Sequence, residues 1–140
     1  MDNKEVTILL VEDDDVDAMT IKRAFKKLRI GNTIVRACDG LEAFEILNDA
    51  VITTPFIILL DLQMPRMNGL EFLESLRKDP KHASCIVFVL TTSKADEDML
   101  SSYKHNVAGY FLKNSAGDEF LDIVNVLDGY WKIVHFPPNG

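Results

Sequence analysis

Residues 6–15 read VTILLVEDDD: six residues that favour an extended chain, followed at once by the four acids Glu12, Asp13, Asp14 and Asp15. So short and apolar a run suits a strand covered on both faces, as in a parallel sheet. The acids then stand at its carboxyl end. Working outward, the same order recurs along the chain. Strand β1 is expected over 6–11, β2 over 33–37 (TIVRA), β3 over 56–60 (FIILL), β4 over 85–90 (CIVFVL) and β5 over 109–112 (GYFL). Amphipathic stretches fill the gaps. In 16–29 the apolar residues Ile21, Ala24, Phe25 and Leu28 recur at helical spacing between Lys22, Arg23, Lys26 and Lys27, which predicts α1. Asp39 is placed to cap α2 (40–49), with Leu41, Phe44, Ile46 and Leu47 as its buried face. Helix α3 is expected over 70–77, ending before Asp79-Pro80, and a mostly polar α4 over 95–105. A long α5 is expected over 118–134, with Pro137-Pro138 beyond it. Five β-α repeats imply an α/β fold: a doubly wound five-stranded parallel sheet with helices on both faces and right-handed crossovers.

The composition bounds what such a domain can do. At 140 residues, with 47% hydrophobic and 26% charged residues, the chain is expected to be one domain spanning 1–140, its core from about 5 to 134. No repeat or low-complexity linker interrupts it. A formal charge of −7 argues against nucleic acid and against an anionic membrane surface as partners, since both call for a basic face. No apolar run approaches the roughly 18–20 residues of a spanning helix. The charged N-terminus does not resemble a signal peptide. Cys38 and Cys85 have no metal-ligand spacing and read as free thiols, so a cytoplasmic location is expected.

In sheets of this kind, ligands bind beyond the carboxyl ends of the strands. There the sequence sets Glu12 and Asp13 after β1, Asp61 directly after β3, Thr91 after β4 and Lys113 after β5. Asp61 directly follows the apolar run FIILL, which puts it at the mouth of the core; Asp14 and Asp15 read as helix-capping charges. Two like charges about 4 Å apart repel by about 4 kcal/mol at an effective dielectric of 20. Three carboxylates together therefore call for protons or a cation. Oxygen ligands without nearby His or Cys suit Mg²⁺, Mn²⁺ or Ca²⁺. A divalent ion and a lysine beside a carboxylate form a pocket for a phosphoryl group, and Asp61 is its expected nucleophile.

These residues resemble a family. ILLVEDDD, LLDLQMPRMNG, VLTTS and GYFLKN occur in the order and spacing of the receiver domain of two-component response regulators, over nearly the whole chain. The segment from Asp61 to Gly69, D-x-x-M-P-x-M-x-G, is its most specific part. The resemblance implies a flavodoxin-like sheet of strand order 2-1-3-4-5. It also implies Asp61 as phosphoacceptor, Asp13 and Glu12 on Mg²⁺ (Mn²⁺ as substitute), and the backbone carbonyl of Gln63 as a further metal ligand. Thr91 would be the switch hydroxyl, Lys113 the ion-pairing lysine, and Tyr110 the aromatic whose rotamer follows Thr91. The chain departs from the family at Glu12, where Asp is common, and at Asn114, which stands where a Pro with a cis bond is usual. Gln63 and Ser93 fall where the family tunes access of water to the acyl phosphate.

The resemblance implies a signalling protein that catalyses only its own phosphorylation and slow dephosphorylation. A sensor histidine kinase or phosphotransfer protein would be its donor, and the α4-β5-α5 face its output. Apolar residues from Phe120 to Val134 cover more than the single stripe that packing on a sheet needs, which suggests a homodimer through that face. With few residues after α5, no output domain is expected. The VLTTS string, Lys113-Asn114 and Trp131 resemble stand-alone receivers paired with phytochrome-type kinases. Two other classes compete. A binding-only adaptor would not need the full acid, Thr and Lys set. A phosphatase on a similar sheet would need an acid two positions after Asp61, where Gln63 stands.

Overall fold

The computed structural model describes residues 6–27, 32–49, 56–62, 68–91, 104–112 and 125–130. Five strands, β1 (Thr7–Val11), β2 (Ile34–Ala37), β3 (Phe56–Asp61), β4 (Ile86–Thr91) and β5 (Gly109–Leu112), form one sheet in the order β2-β1-β3-β4-β5. Every neighbouring pair is parallel. Both the doubly wound architecture and the implied strand order are as expected from the sequence.

The two faces of the sheet follow from the alternation of side chains along each strand. Leu9, Val11, Ile58, Leu60, Val87 and Val89 point into one layer, shared with Ala43 and Leu47 of α2 (Gly40–Asn48) and with Phe72, Leu73 and Leu76 of α3 (Gly69–Lys78). Ile8, Leu10, Ile57, Leu59, Phe88 and Leu90 point into the other. They meet Ala18, Ile21, Ala24 and Phe25 of α1 (Asp15–Lys27), and Leu127. Strands buried on both faces cannot alternate polar and apolar residues, which is why β1, β3 and β4 read as continuous apolar runs.

The helices start where short polar side chains satisfy their first amides. Asp14 Oδ1 accepts from the amides of Val16 (2.8 Å) and Asp17 (3.1 Å), so α1 begins at Asp15, a residue earlier than expected. Asp39 caps α2 as expected, accepting from the Glu42 amide at 2.9 Å. Asn68 and Glu71 exchange reciprocal bonds of 2.9 Å, a capping box that opens α3. Leu41 is a correction: it is 43% exposed, and Ala43 takes the inward position expected of it. Residues 125–130 are helical within the expected α5; there Leu127 is buried while Val126 is exposed. The expected α4 lies almost wholly outside the described residues, as does most of α5.

Arg77 ties the far end of α3 to two loops. Its guanidinium donates to the carbonyls of His105 (2.6 Å), Ala83 (2.8 Å), Cys85 (2.7 Å) and Asn106 (3.0 Å). Asn106 sits at φ 60°, a left-handed turn that Asn tolerates better than most residues. Both cysteines are free, Cys38 exposed and Cys85 buried. Burial pushes the Cys85 thiol up to about 11, so it stays protonated at neutral pH. Among the described residues, no helix is long and apolar enough to cross a membrane.

Candidate functional site

The register of the central strands builds the site. Val11 pairs with Leu60, so the next residues, Glu12 and Asp61, leave adjacent strands side by side at the carboxyl edge. Asp61 in turn pairs with Leu90, which places the backbone of Thr91 one position further along the next strand. Thr91 pairs with Leu112, the last residue of β5. Gln63 and Lys113 lie outside the described residues. Tyr110 is half-buried and packs on the layer that holds α2 and α3, whereas Phe111 faces the opposite layer, its ring stacked on Phe88 at 5.8 Å.

Glu12, Asp13 and Asp61 converge. Each offers a carboxylate oxygen, and these oxygens lie within 4.8 Å of one another. Glu12 is 0% and Asp61 4% exposed, while Asp13 opens to solvent. Two buried carboxylates beside a third acid form an unfavourable grouping unless positive charge joins them. The donor set is hard oxygen only, as Mg²⁺ or Mn²⁺ prefers, and one exposed ligand leaves a path for the ion to enter. The residues present therefore fit a divalent cation.

The run Glu12–Asp15 is divided among tasks that the sequence left partly open. Glu12 Oε2 accepts from the Asp14 amide at 3.2 Å. The Asp14 carboxylate is occupied as the cap of α1, and Asp15 pairs with Arg36 at 2.7 Å. That leaves Asp13 as the outward acid beside Asp61. Of the two acids expected to cap α1, Asp14 does so, while Asp15 lies in its first turn and pairs with Arg36.

Two residues that shape the site were missed. Gly69, the last residue of the D-x-x-M-P-x-M-x-G motif, donates its amide to the Leu62 carbonyl at 3.0 Å and so ties the start of α3 to the end of β3. A Cβ there would lie 2.5 Å from Leu62 Cα and 2.7 Å from the Asp61 carbonyl oxygen. Its position in the motif was the available signal. Arg36, in the middle of β2, donates from Nε to the Glu12 carbonyl at 3.0 Å. Nothing in its local sequence announces that bond.

Comparison with known proteins agrees with this fold. The family model for the response regulator receiver domain matches residues 8–125. The response regulator Rcp1 of Synechocystis sp. is 30% identical over 133 residues, covering 92% of this chain and 90% of that protein. The crystal structure of its Mn²⁺-bound form superposes with a TM-score of 0.82, covering 94% of this chain and 99% of that one. The phosphorylated cyanobacterial phytochrome response regulator RcpA superposes with a TM-score of 0.83 at 31% identity, covering 94% and 98%. A probable methanogenesis regulatory protein of Methanothrix harundinacea, FilR2, is 33% identical over 127 residues, covering 89% of this chain and 82% of that protein.

Proposed function

The chain belongs to the response regulator receiver domain family, and from that membership we propose that it is a phosphoacceptor in which the Asp61 carboxylate is the nucleophile. The observation that carries this reading is the approach of Glu12, Asp13 and Asp61 to within 4.8 Å at the mouth of the sheet. An oxygen of Asp61 bonds to the phosphorus of a phosphohistidine as the P–N bond breaks; the electron pair leaves with the imidazole nitrogen, which takes up a proton. Glu12 and Asp13, with Asp61 and the backbone carbonyl of Gln63, would hold Mg²⁺, or Mn²⁺ as its substitute. A bound divalent ion supplies charge neutralisation for the phosphoryl oxygens. The Mn²⁺-bound state of Rcp1 and the phosphorylated state of RcpA support both parts of this reading.

Lys113 and the Thr91 hydroxyl are assigned to the phosphoryl oxygens, and Tyr110 to the space that Thr91 vacates. The added charge of about −1.5 to −2 then biases a packing switch read on the α4-β5-α5 face. A sensor histidine kinase or phosphotransfer protein supplies the phosphoryl group, and a second copy of the chain is a candidate for that face.

The test is incubation with Mg²⁺ and acetyl phosphate, read by intact mass. The parent is expected to gain one phosphoryl group, and Asp61→Asn none. Equal modification of both would remove Asp61 from the role. A folded parent that accepts no phosphoryl group from either acetyl phosphate or phosphohistidine donors would favour a binding-only adaptor instead.

A further inference from the structure

We infer that Arg36 is a positioning residue that holds the metal-binding loop in its working shape; this rests on the divalent-cation reading of Glu12, Asp13 and Asp61 given above. Arg36 lies on β2, opposite Leu10 in register, with its side chain on the same face as Ile34 and α1. Its guanidinium grips both ends of the acidic run. Nε donates to the Glu12 carbonyl at 3.0 Å, and Nη1 donates to the Asp15 carboxylate at 2.7 Å. The two anchored residues flank Asp13 and Asp14. Asp14 is itself fixed by the first amides of α1. Asp13 is thus the one acid of the run held in place only through its neighbours; the Glu12 amide is also anchored, on the Ala37 carbonyl at 2.9 Å, and Arg36 is the one side chain that bonds to both Glu12 and Asp15.

Geometry rather than charge is the essential contribution. A cation beside an acidic pocket opposes the entry of a second cation, so on Coulomb grounds alone Arg36 would weaken metal binding. It is offset locally by Asp15, 82% exposed against 20% for the Arg36 side chain, and an ion pair so open to solvent adds little stability. What remains is a planar fork that makes two directed bonds from one side chain. Lysine, with a single nitrogen, carries the same charge without that fork. Residues that orient metal ligands from behind typically change metal affinity by about 10–100-fold when lost.

Arg36→Lys therefore separates the two contributions. Mn²⁺ affinity is measured on the intact chain by the electron paramagnetic resonance signal of the free ion, with amide exchange over residues 12–15 alongside. Arg36→Lys is expected to weaken Mn²⁺ binding about tenfold and to speed exchange at Asp13 and Asp14, with circular dichroism unchanged. Asp15→Asn keeps the Nε bond and breaks only the ion pair; it is expected to speed exchange at Asp13 and Asp14 less than Arg36→Lys does. Parent-like affinity in Arg36→Lys would overturn the inference while leaving the metal site intact. A parent that binds no Mn²⁺ would instead overturn the metal reading itself. Should Arg36→Lys fail to fold, amide exchange in Asp15→Asn decides, because it reads the loop rather than the local charge: unchanged exchange at Asp13 and Asp14 would equally overturn the inference.

Discussion

At the level of single residues, Gly69 shows how a position without a side chain can govern a reactive one. It opens α3, where exchanging Gly for Ala would ordinarily gain up to about 1 kcal/mol through lower chain entropy and better helix propensity. Here the added methyl meets backbone, with Leu62 Cα at 2.5 Å and the Asp61 carbonyl oxygen at 2.7 Å. Backbone cannot rotate out of the way as a side-chain tip can, so the start of α3 or the end of β3 has to shift. Overpacking of this kind costs about 1–3 kcal/mol, which outweighs the propensity gain. Gly69→Ala is expected to lower stability by about 1–2 kcal/mol in urea denaturation. It is also expected to slow phosphorylation from acetyl phosphate, because the residue displaced is Asp61 itself. An alanine variant as stable and as reactive as the parent would show that β3 and α3 accommodate the methyl without cost.

At the level of elements, how well each feature could be read from sequence depended on where its partners sit. The strands were legible because burial on both faces writes itself into composition: β1 and β3 are buried at every position. The cap of α2 was legible because Asp39 lies three residues from the amide whose bond it accepts. The inner face of α2 was only partly legible. Gly40 and Ala43, small residues that carry little hydrophobic signal, are buried there beside Leu47, while Leu41 draws the eye and is exposed. Of the site, Glu12, Asp13 and Asp61 could be placed because each ends or follows an unmistakable strand. Arg36 and Arg77 were illegible for a common reason: they bond to carbonyls 24 and 28 positions away, and every residue carries a carbonyl.

Arg77 also carries the prediction that belongs to this scale. Two of its four acceptors, the carbonyls of His105 and Cys85, are partly buried, and the other two are open to water. Stranding a buried acceptor costs about 1–3 kcal/mol, whereas exposed ones recover solvent. Burial holds the Arg77 guanidinium below its ordinary value, so part of the gain is already spent on desolvation. Arg77→Met is accordingly expected to lose about 2–4 kcal/mol, and Arg77→Lys nearly as much, since one ammonium cannot reach both loops. The check is urea denaturation of both variants. A loss below about 1 kcal/mol in Arg77→Met would mean that the two loops hold each other without the staple.

For the whole molecule, the parallel sheet gives β1 and β3 the same polarity, so the acids that end them must meet. Folding therefore drives Glu12 and Asp61 together before any ligand arrives. Charges within 4.8 Å of one another repel by about 1 kcal/mol or more per pair in water-like surroundings, and by more where the oxygens are buried. Asp13→Asn removes one charge of the three at the exposed corner, where the amide disturbs packing least. In EDTA that variant is expected to be about 1–2 kcal/mol more stable than the parent. Mg²⁺ should reverse the order. An ion that binds only the folded chain stabilises it by about 1.4 kcal/mol at ten times its dissociation constant, and by about 2.7 kcal/mol at one hundred times. The parent gains this and Asp13→Asn does not, so their urea midpoints should cross as Mg²⁺ is titrated. Parallel midpoints, or a variant less stable than the parent in EDTA, would mean that the three carboxylates are not under mutual strain and that the fold does not store a cation's place in this form.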